Sequence, residues 1–284
     1  YKRQKIKKID SLEKVTNLVL FSEKFYSHKG NVADKWEGYM DIYDEILKPI
    51  KNDCKSILEI GVNNGGSLEI FAEYFSNANI ITGIDIDEKC SQIKFKDPRI
   101  KVFIGNANDM EIKSQIFILY RFFDLIIDDG SHHSKDIIKT FINLIDLMND
   151  GGTYIIEDLC CSYWEEFGGG VKSDNSAMYF FKNLSDIINI EHWRSKYTII
   201  EYLQDNGFNG FSEIGLEKLS RLKSISFYNS MCVLKFNSNS HKSTIGKRLT
   251  RGSKFNISHP KNGQSILEVG MDQSNNPLNN KTTK

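Results

Sequence analysis

Between residues 56 and 156 the chain alternates short β-branched runs with longer segments whose apolar positions recur at helical spacing. The runs are Ser56 to Ile60, Ile80 to Ile84, Ile100 to Ile104, Phe123 to Ile127 and Thr153 to Ile156. Strands this uniformly apolar are buried on both faces, and helices between them imply crossover connections, so the pattern predicts a mainly parallel sheet. The sharpest helix follows the fourth run, with Ile137, Ile138, Phe141, Leu144, Ile145 and Met148 on one face and Gly151-Gly152 behind it as a stop. Leu222 to Phe227 and Met231 to Phe236, on either side of Tyr228-Asn229-Ser230, read as an antiparallel hairpin at the sheet edge. The expected fold is α/β: a Rossmann-like, doubly wound, seven-stranded sheet, mainly parallel with a C-terminal antiparallel hairpin.

The two ends of the chain read differently. Leu12, Val15, Leu18 and Val19, then Tyr39, Ile42, Tyr43, Ile46 and Leu47, keep helical spacing on either side of a Lys29-Gly30-Asn31 break. Residues 1–50 are therefore expected to form an N-terminal helical cap on a catalytic domain spanning 51–236. From Asn237 to Lys284 the chain turns to Ser, Asn, Lys, Thr and Gly, too polar to offset its ordering entropy, and reads as a flexible tail. Within it Ser265 to Gly270 (SILEVG) echoes Ser56 to Gly61 (SILEIG) without the glycines that follow the first copy. Coincidence is the leading reading of that echo and a truncated second copy the minor one.

Composition narrows the class. A chain of 284 residues suits one substantial α/β domain with a cap or tail, and 40% hydrophobic with 26% charged residues is the balance of a globular protein. No apolar run approaches the roughly 20 residues of a membrane span, and no secretory h-region follows the basic opening. A cytoplasmic address is expected, with room for a removed targeting segment because the chain does not begin with Met. Lys plus Arg and Asp plus Glu both total 37, so no net charge recommends a nucleic-acid substrate. A weak basic hint remains in Lys242, Lys247, Arg248, Arg251 and Lys254. The five cysteines form no CxxC pair and are expected reduced, with Cys160 and Cys161 serving packing. Self-association is left open.

Candidate chemistry gathers at the strand ends. The first strand runs into Glu59-Ile60-Gly61-Val62-Asn63-Asn64-Gly65-Gly66-Ser67 and a helix. Its looser glycine spacing suits a ligand without a pyrophosphate better than a dinucleotide. Asp85, about 20 residues on at the end of the second strand, is placed to accept hydrogen bonds from the ribose hydroxyls of an adenosine-type cofactor, with Asp87 as a competitor. Asn106, in the loop after the third strand, is a candidate for the adenine edge. Two acidic pairs, Asp128-Asp129 and Glu157-Asp158, end adjacent strands. One pair alone would be read as turn caps, but two together suggest that Asp129, Glu157 and Asp158 converge on a hard cation such as Mg²⁺. His132, three residues after Asp129 and at the start of the amphipathic helix, is the candidate general base, with His133 as understudy.

Taken together, EIGVNNGGS, GIDID, IIDDGSHH and IIEDLCCSYWEEFGGG resemble the metal-dependent sugar O-methyltransferases of macrolide biosynthesis, the mycinamicin 2''-O-methyltransferase type, over about Tyr26 to Phe236. Cephalosporin-hydroxylase-like proteins share much of the pattern. The resemblance implies S-adenosylmethionine on Gly61 and Asp85, Mg²⁺ on Asp129, Glu157 and Asp158, and His132 as the base. Candidate cofactor contacts are then Glu59, Gly61, Asn63, Gly65, Asp85, Asn106 and Asp128. It also implies that an aromatic N-terminal segment, here His28-Lys29-Gly30 and Trp36-Glu37-Gly38-Tyr39, closes the site, although His28 stands where an acid is expected. Tyr39, His133, Tyr163 and Trp164 are candidate acceptor contacts and Gly168-Gly169-Gly170 a candidate lid. The expected activity is methylation of a hydroxyl on a sugar, a glycosylated small molecule or a surface glycan. A phenolic or catechol-type acceptor, or a non-catalytic binding protein on the same fold, are the alternatives.

Overall fold

The computed structural model describes residues 19–193 and 197–238. Leu12, Val15 and Leu18 of the expected cap, and the tail from residue 239 with its basic residues and SILEVG echo, lie outside the described residues. Seven strands form one sheet: β1 Ser56–Ile60, β2 Ile80–Asp85, β3 Ile100–Ile104, β4 Phe123–Asp128, β5 Met148–Ile156, β6 Leu222–Tyr228 and β7 Met231–Phe236. Their order is β3-β2-β1-β4-β5-β7-β6, parallel through β5, with β7 antiparallel to β5 and β6 completing the hairpin. The sheet is the one the sequence predicts. Because β2 and β3 build outward on one side of β1 while β4 and β5 build on the other, the strand order reverses between β1 and β4. A crevice must open there at the carboxyl ends.

Alternate residues on each strand enter different layers, as the two-residue strand period requires. Leu58, Ile126, Tyr154 and Ile156 face a core shared with α5 (Ser134–Leu144) and α6 (Ala177–Ile188). Ile57, Leu125, Ile127 and Ile155 face α1 (Phe21–Ser27), α2 (Tyr39–Leu47) and α3 (Gly66–Tyr74). Phe21, Tyr43 and Leu47 from the N-terminal helices are at most 1% exposed within that second core, so these helices are a layer of the sheet's own packing. Between α1 and α2, residues 28–38 run as a largely irregular strap that reaches the sheet's carboxyl edge. Helices α4 (Met110–Tyr120), α7 (Ile199–Asp205) and α8 (Glu213–Leu219) complete the fold, and no helix among the described residues is long and apolar enough to cross a membrane.

One expected element ends early. The helix after β4 stops at Leu144, a 3-10 turn covers Ile145–Leu147, and Met148 already belongs to β5. Gly151 and Gly152, expected as a helix stop, lie inside that strand. Pairing shifts between Phe123↔Met148 and Leu125↔Thr153, and a side chain at Gly152 would come within 2.2 Å of Met148 Sδ. The glycines accommodate a bulge, and an apolar run read with a helical period continued straight into a strand.

Phe141 illustrates how tightly α5 is held. It is fully buried, edge-on to Tyr154, Phe180 and Phe181 at ring separations of 5.0–5.6 Å. Phe141→Ala removes that payload and leaves a cavity between sheet and helices. It is expected to cost about 3–5 kcal/mol in chemical denaturation, and a loss below about 1 kcal/mol would mean the layer is not packed as described.

Candidate functional site

The glycine turn lies at the switch point. Gly61 has φ +90, its amide donates to the Ile84 carbonyl at 2.9 Å, and a Cβ there would sit 2.0 Å from the Asp129 carbonyl oxygen. Only glycine lets the β1 and β4 loops come this close. Asp85 Oδ2 accepts from the amides of Val62 at 2.8 Å and Asn63 at 3.0 Å, and Oδ1 from Asp87 at 2.8 Å. Burial pulls the Asp85 pKa up, but these amides outweigh it and hold the carboxyl below its ordinary value. A cleft beside the turn is lined by Gly61, Asp85, Asn106, Asp128 and, from α5, Ile137 and Thr140. Asp128 is 3% exposed and its Oδ2 is buried without a hydrogen-bond partner. Burial pushes it to about 7 although the Gly130 amide donates to its Oδ1, so one unpartnered carboxyl oxygen waits at the cleft wall. A polar, adenosine-sized ligand with hydrogen-bond donors fits these residues.

Around the ends of β4 and β5 stands an acidic cluster. One ligand atom each from Asp129, His132 and Asp158 lies within 4.8 Å of the others. His132 Nε2 is 3.9 Å from Asp129 Oδ1 and 3.7 Å from Asp158 Oδ2. His132 (φ 57) and Asp158 (φ 54) are held in the left-handed region, as is Asn63 (φ 48) in the glycine turn. Such backbone costs on the order of 1–3 kcal/mol per residue and persists where surrounding structure imposes it, commonly at functional sites. His132 precedes the helix rather than opening it, since His133 is the N-cap of α5. Two oxygens and an imidazole nitrogen at this spacing make a donor set that fits a divalent cation.

Glu157, expected with Asp129 and Asp158, lines the same pocket, but its Oε1 is taken by groups from the N-terminal segment. It is 1% exposed, accepts from the Tyr43 hydroxyl, and takes the Lys35 ammonium at 2.9 Å. Lys35 also donates to Asp129 Oδ2 at 2.5 Å and lies 3.9 Å from Glu59 Oε1. Its side chain is 4% exposed, and although burial opposes the charge, Glu157, Asp129 and Glu59 together hold its pKa well above the ordinary lysine value. Burial lifts Glu59 to about 8 and Glu157 to about 7 against the pull of that ammonium. Trp36 Nε1 and the Tyr39 hydroxyl both donate to Asp158 Oδ1, at 2.9 and 2.7 Å. The strap thus reaches every acid of the cluster.

Sequence reasoning had located Trp36 and Tyr39 but not Lys35 or Tyr43. Tyr43 keeps the apolar helical spacing of α2 and reads as core, while Lys35 sits between Asp34 and Trp36 in an irregular stretch with no periodic signal. Glu59 is anchored by the Ser67 hydroxyl at 2.6 Å, and Gly65 N-caps α3. The Asn106 side chain accepts from the Asn108 amide at 2.9 Å while lining the cleft. Tyr163 and Trp164, 43% and 47% exposed, lie outside the lining of the acidic pocket, which is formed by Asp34, Lys35, Trp36, Tyr39, Asp129, Glu157 and Asp158. The His133 ring packs on Phe167, 5.0 Å away, and Phe167 meets Trp164 at 5.8 Å, an aromatic rim beside the site. In the Gly168-Gly169-Gly170 run, the amides of Gly169 and Gly170 donate back to Trp164 and Ser162, so the run folds onto its own turn.

The strand order, the glycine turn and the acids at the switch point together define a class I S-adenosylmethionine-dependent methyltransferase fold. No family model matches the chain. Over 164 residues the chain is 30% identical to the 8-demethyl-8-alpha-L-rhamnosyl tetracenomycin-C 2'-O-methyltransferase of Streptomyces olivaceus, covering 54% of this chain and 42% of that one. Over 156 residues it is 33% identical to the mycinamicin VI 2''-O-methyltransferase of Micromonospora griseorubida, covering 51% and 38%. The MycE methyltransferase of the mycinamycin biosynthetic pathway, solved in complex with Mg and SAH, is similar in structure with a TM-score of 0.60 at 25% identity, over 76% of this chain and 53% of that one. The chain spans about two fifths of the length of the curated relatives it matches.

The raised pKa of Glu59 has a sign that can be tested. The folded protein binds its proton up to about pH 8 while the unfolded chain releases it near 4.5, so stability is lost as pH rises through that window. Glu59→Gln is expected to flatten the fall, gaining on the order of 3 kcal/mol relative to the wild type at pH 8 against pH 5 in metal-free buffer. Parallel stability curves for the two proteins would mean that Glu59 is ionised throughout.

Proposed function

We propose that this chain is an S-adenosylmethionine-dependent O-methyltransferase that acts on a hydroxyl of a sugar, carried on a small molecule or a glycan, with the help of a divalent cation. The observation that carries the proposal is the convergence of Asp129, His132 and Asp158 within 4.8 Å beside the cleft at the strand switch point. The fold and the sugar-directed O-methyltransferases among the relatives support the acceptor class. When bound, S-adenosylmethionine supplies an electrophilic sulfonium methyl group, and a cation such as Mg²⁺ supplies a Lewis acid that acidifies an acceptor hydroxyl.

The chain's own residues would do the rest. Gly61, Asn63, Gly65, Asp85, Asn106 and Asp128 would bind and orient the cofactor along the cleft. Glu59 would act from behind the turn. Asp129 and Asp158 would hold the cation, with Glu157 next to them. His132 would take the hydroxyl proton as the new C–O bond forms and the C–S bond breaks, leaving the thioether as the leaving group. The imidazolium so formed would lie 3.7 Å from Asp158 Oδ2 and 3.9 Å from Asp129 Oδ1, which stabilise it. Trp36 would meet the acceptor from the strap, Tyr39 from the start of α2, and His133, Tyr163 and Trp164 from the aromatic rim.

A second reading is favoured by the same distances: His132 as a cation ligand in place of a base. His132→Ala separates the two. As a base, its loss is expected to slow methyl transfer about 10²–10⁴-fold with S-adenosylmethionine and Mg²⁺ affinity retained by calorimetry. As a ligand, its loss weakens Mg²⁺ binding instead. Turnover that survives both the substitution and a chelator would remove the metal-assisted mechanism altogether. An acceptor panel of glycosylated polyketides against catechols tests the sugar assignment, and preference for the catechol would reverse it.

A further inference from the structure

Lys35 stands out because its ammonium has acids for every charged partner. It is buried at the centre of the site, and it approaches Asp129, Glu157 and Glu59 at 2.5, 2.9 and 3.9 Å. Glu59 Oε1 is fully buried, has no hydrogen-bond partner, and faces that ammonium. Asp129 is divided between two sides of the cluster: Oδ2 on Lys35, Oδ1 towards His132 and Asp158. Glu157 is committed to Lys35 and Tyr43, which is why it stands apart from the other acids. The strap that carries Lys35 is itself drawn onto the glycine turn: the Gly66 amide donates to the Val32 carbonyl at 3.2 Å, and the Asn31 amide to Glu69 at 2.6 Å.

We propose that Lys35 is a built-in cation that holds the place of the divalent ion and is exchanged for it. With the ammonium in place, the strap is fastened and Asp129 and Glu157 are neutralised. When a divalent ion enters, it takes Asp129 and Glu157 alongside Asp158, and Lys35 is released. Two cations sharing one carboxylate beside side chains as buried as Lys35 and Glu157 repel, so the two occupancies oppose each other. This rests on the metal reading of the site given above.

Mn²⁺ binding to the full chain, followed by electron paramagnetic resonance, provides the test. Lys35→Met keeps most of the unbranched side chain and removes its charge, and is expected to tighten Mn²⁺ binding about tenfold or more. Equal or weaker binding by the variant overturns the proposal while leaving the metal site intact, and no Mn²⁺ binding by either protein overturns the metal reading and the proposal together. Because Lys35→Met leaves buried acids without their counter-ion and can compromise folding, Lys35→Met combined with Glu157→Gln removes one charge of each sign. It is expected to fold, and to bind Mn²⁺ more tightly than Glu157→Gln alone; failure to do so counts against exchange. In the wild type, acylation of Lys35 read by mass spectrometry should accelerate several-fold when Mg²⁺ is added. An unchanged or slower rate means that the ammonium stays where it is, and the exchange is wrong.

Discussion

Four carboxylates, Glu59, Asp129, Glu157 and Asp158, are carried to one place by the ends of three neighbouring parallel strands, and they cannot all be ionised there without positive charge beside them. Desolvation alone pushes Glu59 and Glu157 towards their neutral forms. What opposes that push is cationic charge delivered from outside the sheet, and the chain delivers part of it through the Lys35 ammonium on the strap between α1 and α2. The position of the strap, the burial of α2 and the division of labour among the acids follow from this electrostatic demand.

The demand also explains why the N-terminal helices are built into the sheet's core. Tyr39 and Tyr43, one helical turn apart on α2, are both buried, and their hydroxyls reach Asp158 and Glu157 respectively. A helix packed by Tyr43 and Leu47 against the sheet and against Phe21 of α1 aims its polar tips at the carboxyl edge, so apolar packing and site organisation are the same contacts. The cleft beside the glycine turn, on the α5 side, is organised by different means. Backbone amides from the glycine turn fasten Asp85, and Gly61 allows the β1 and β4 loops to touch.

Much of this was legible from residue order. Short, uniformly apolar runs identified six of the seven strands to within a residue and the last four residues of β5, because strands buried on both faces leave little else for such runs to be. The acids at the ends of β1, β2, β4 and β5 could be named because parallel topology carries every strand's carboxyl end to the same edge. The end of α5 was misread for a related reason: Ile145 and Met148 continue the helical stripe, and the bulge at Gly151-Gly152 that turns the chain into β5 depends on pairing with β4. Lys35 left no signal, because an irregular strap has no period and its partners are 24 to 122 residues away.

The sequence by itself determined the sheet, its crossover connections and the set of acids at its carboxyl edge, since these follow from local patterning and from rules of chain connection that need no long-range detail. Only the tertiary structure decided how those acids are shared. Asp129, His132 and Asp158 open towards a common point, while Glu157 and Glu59 turn back to Lys35, because the orientation of a buried carboxylate is set by whichever counter-charge the fold brings within reach.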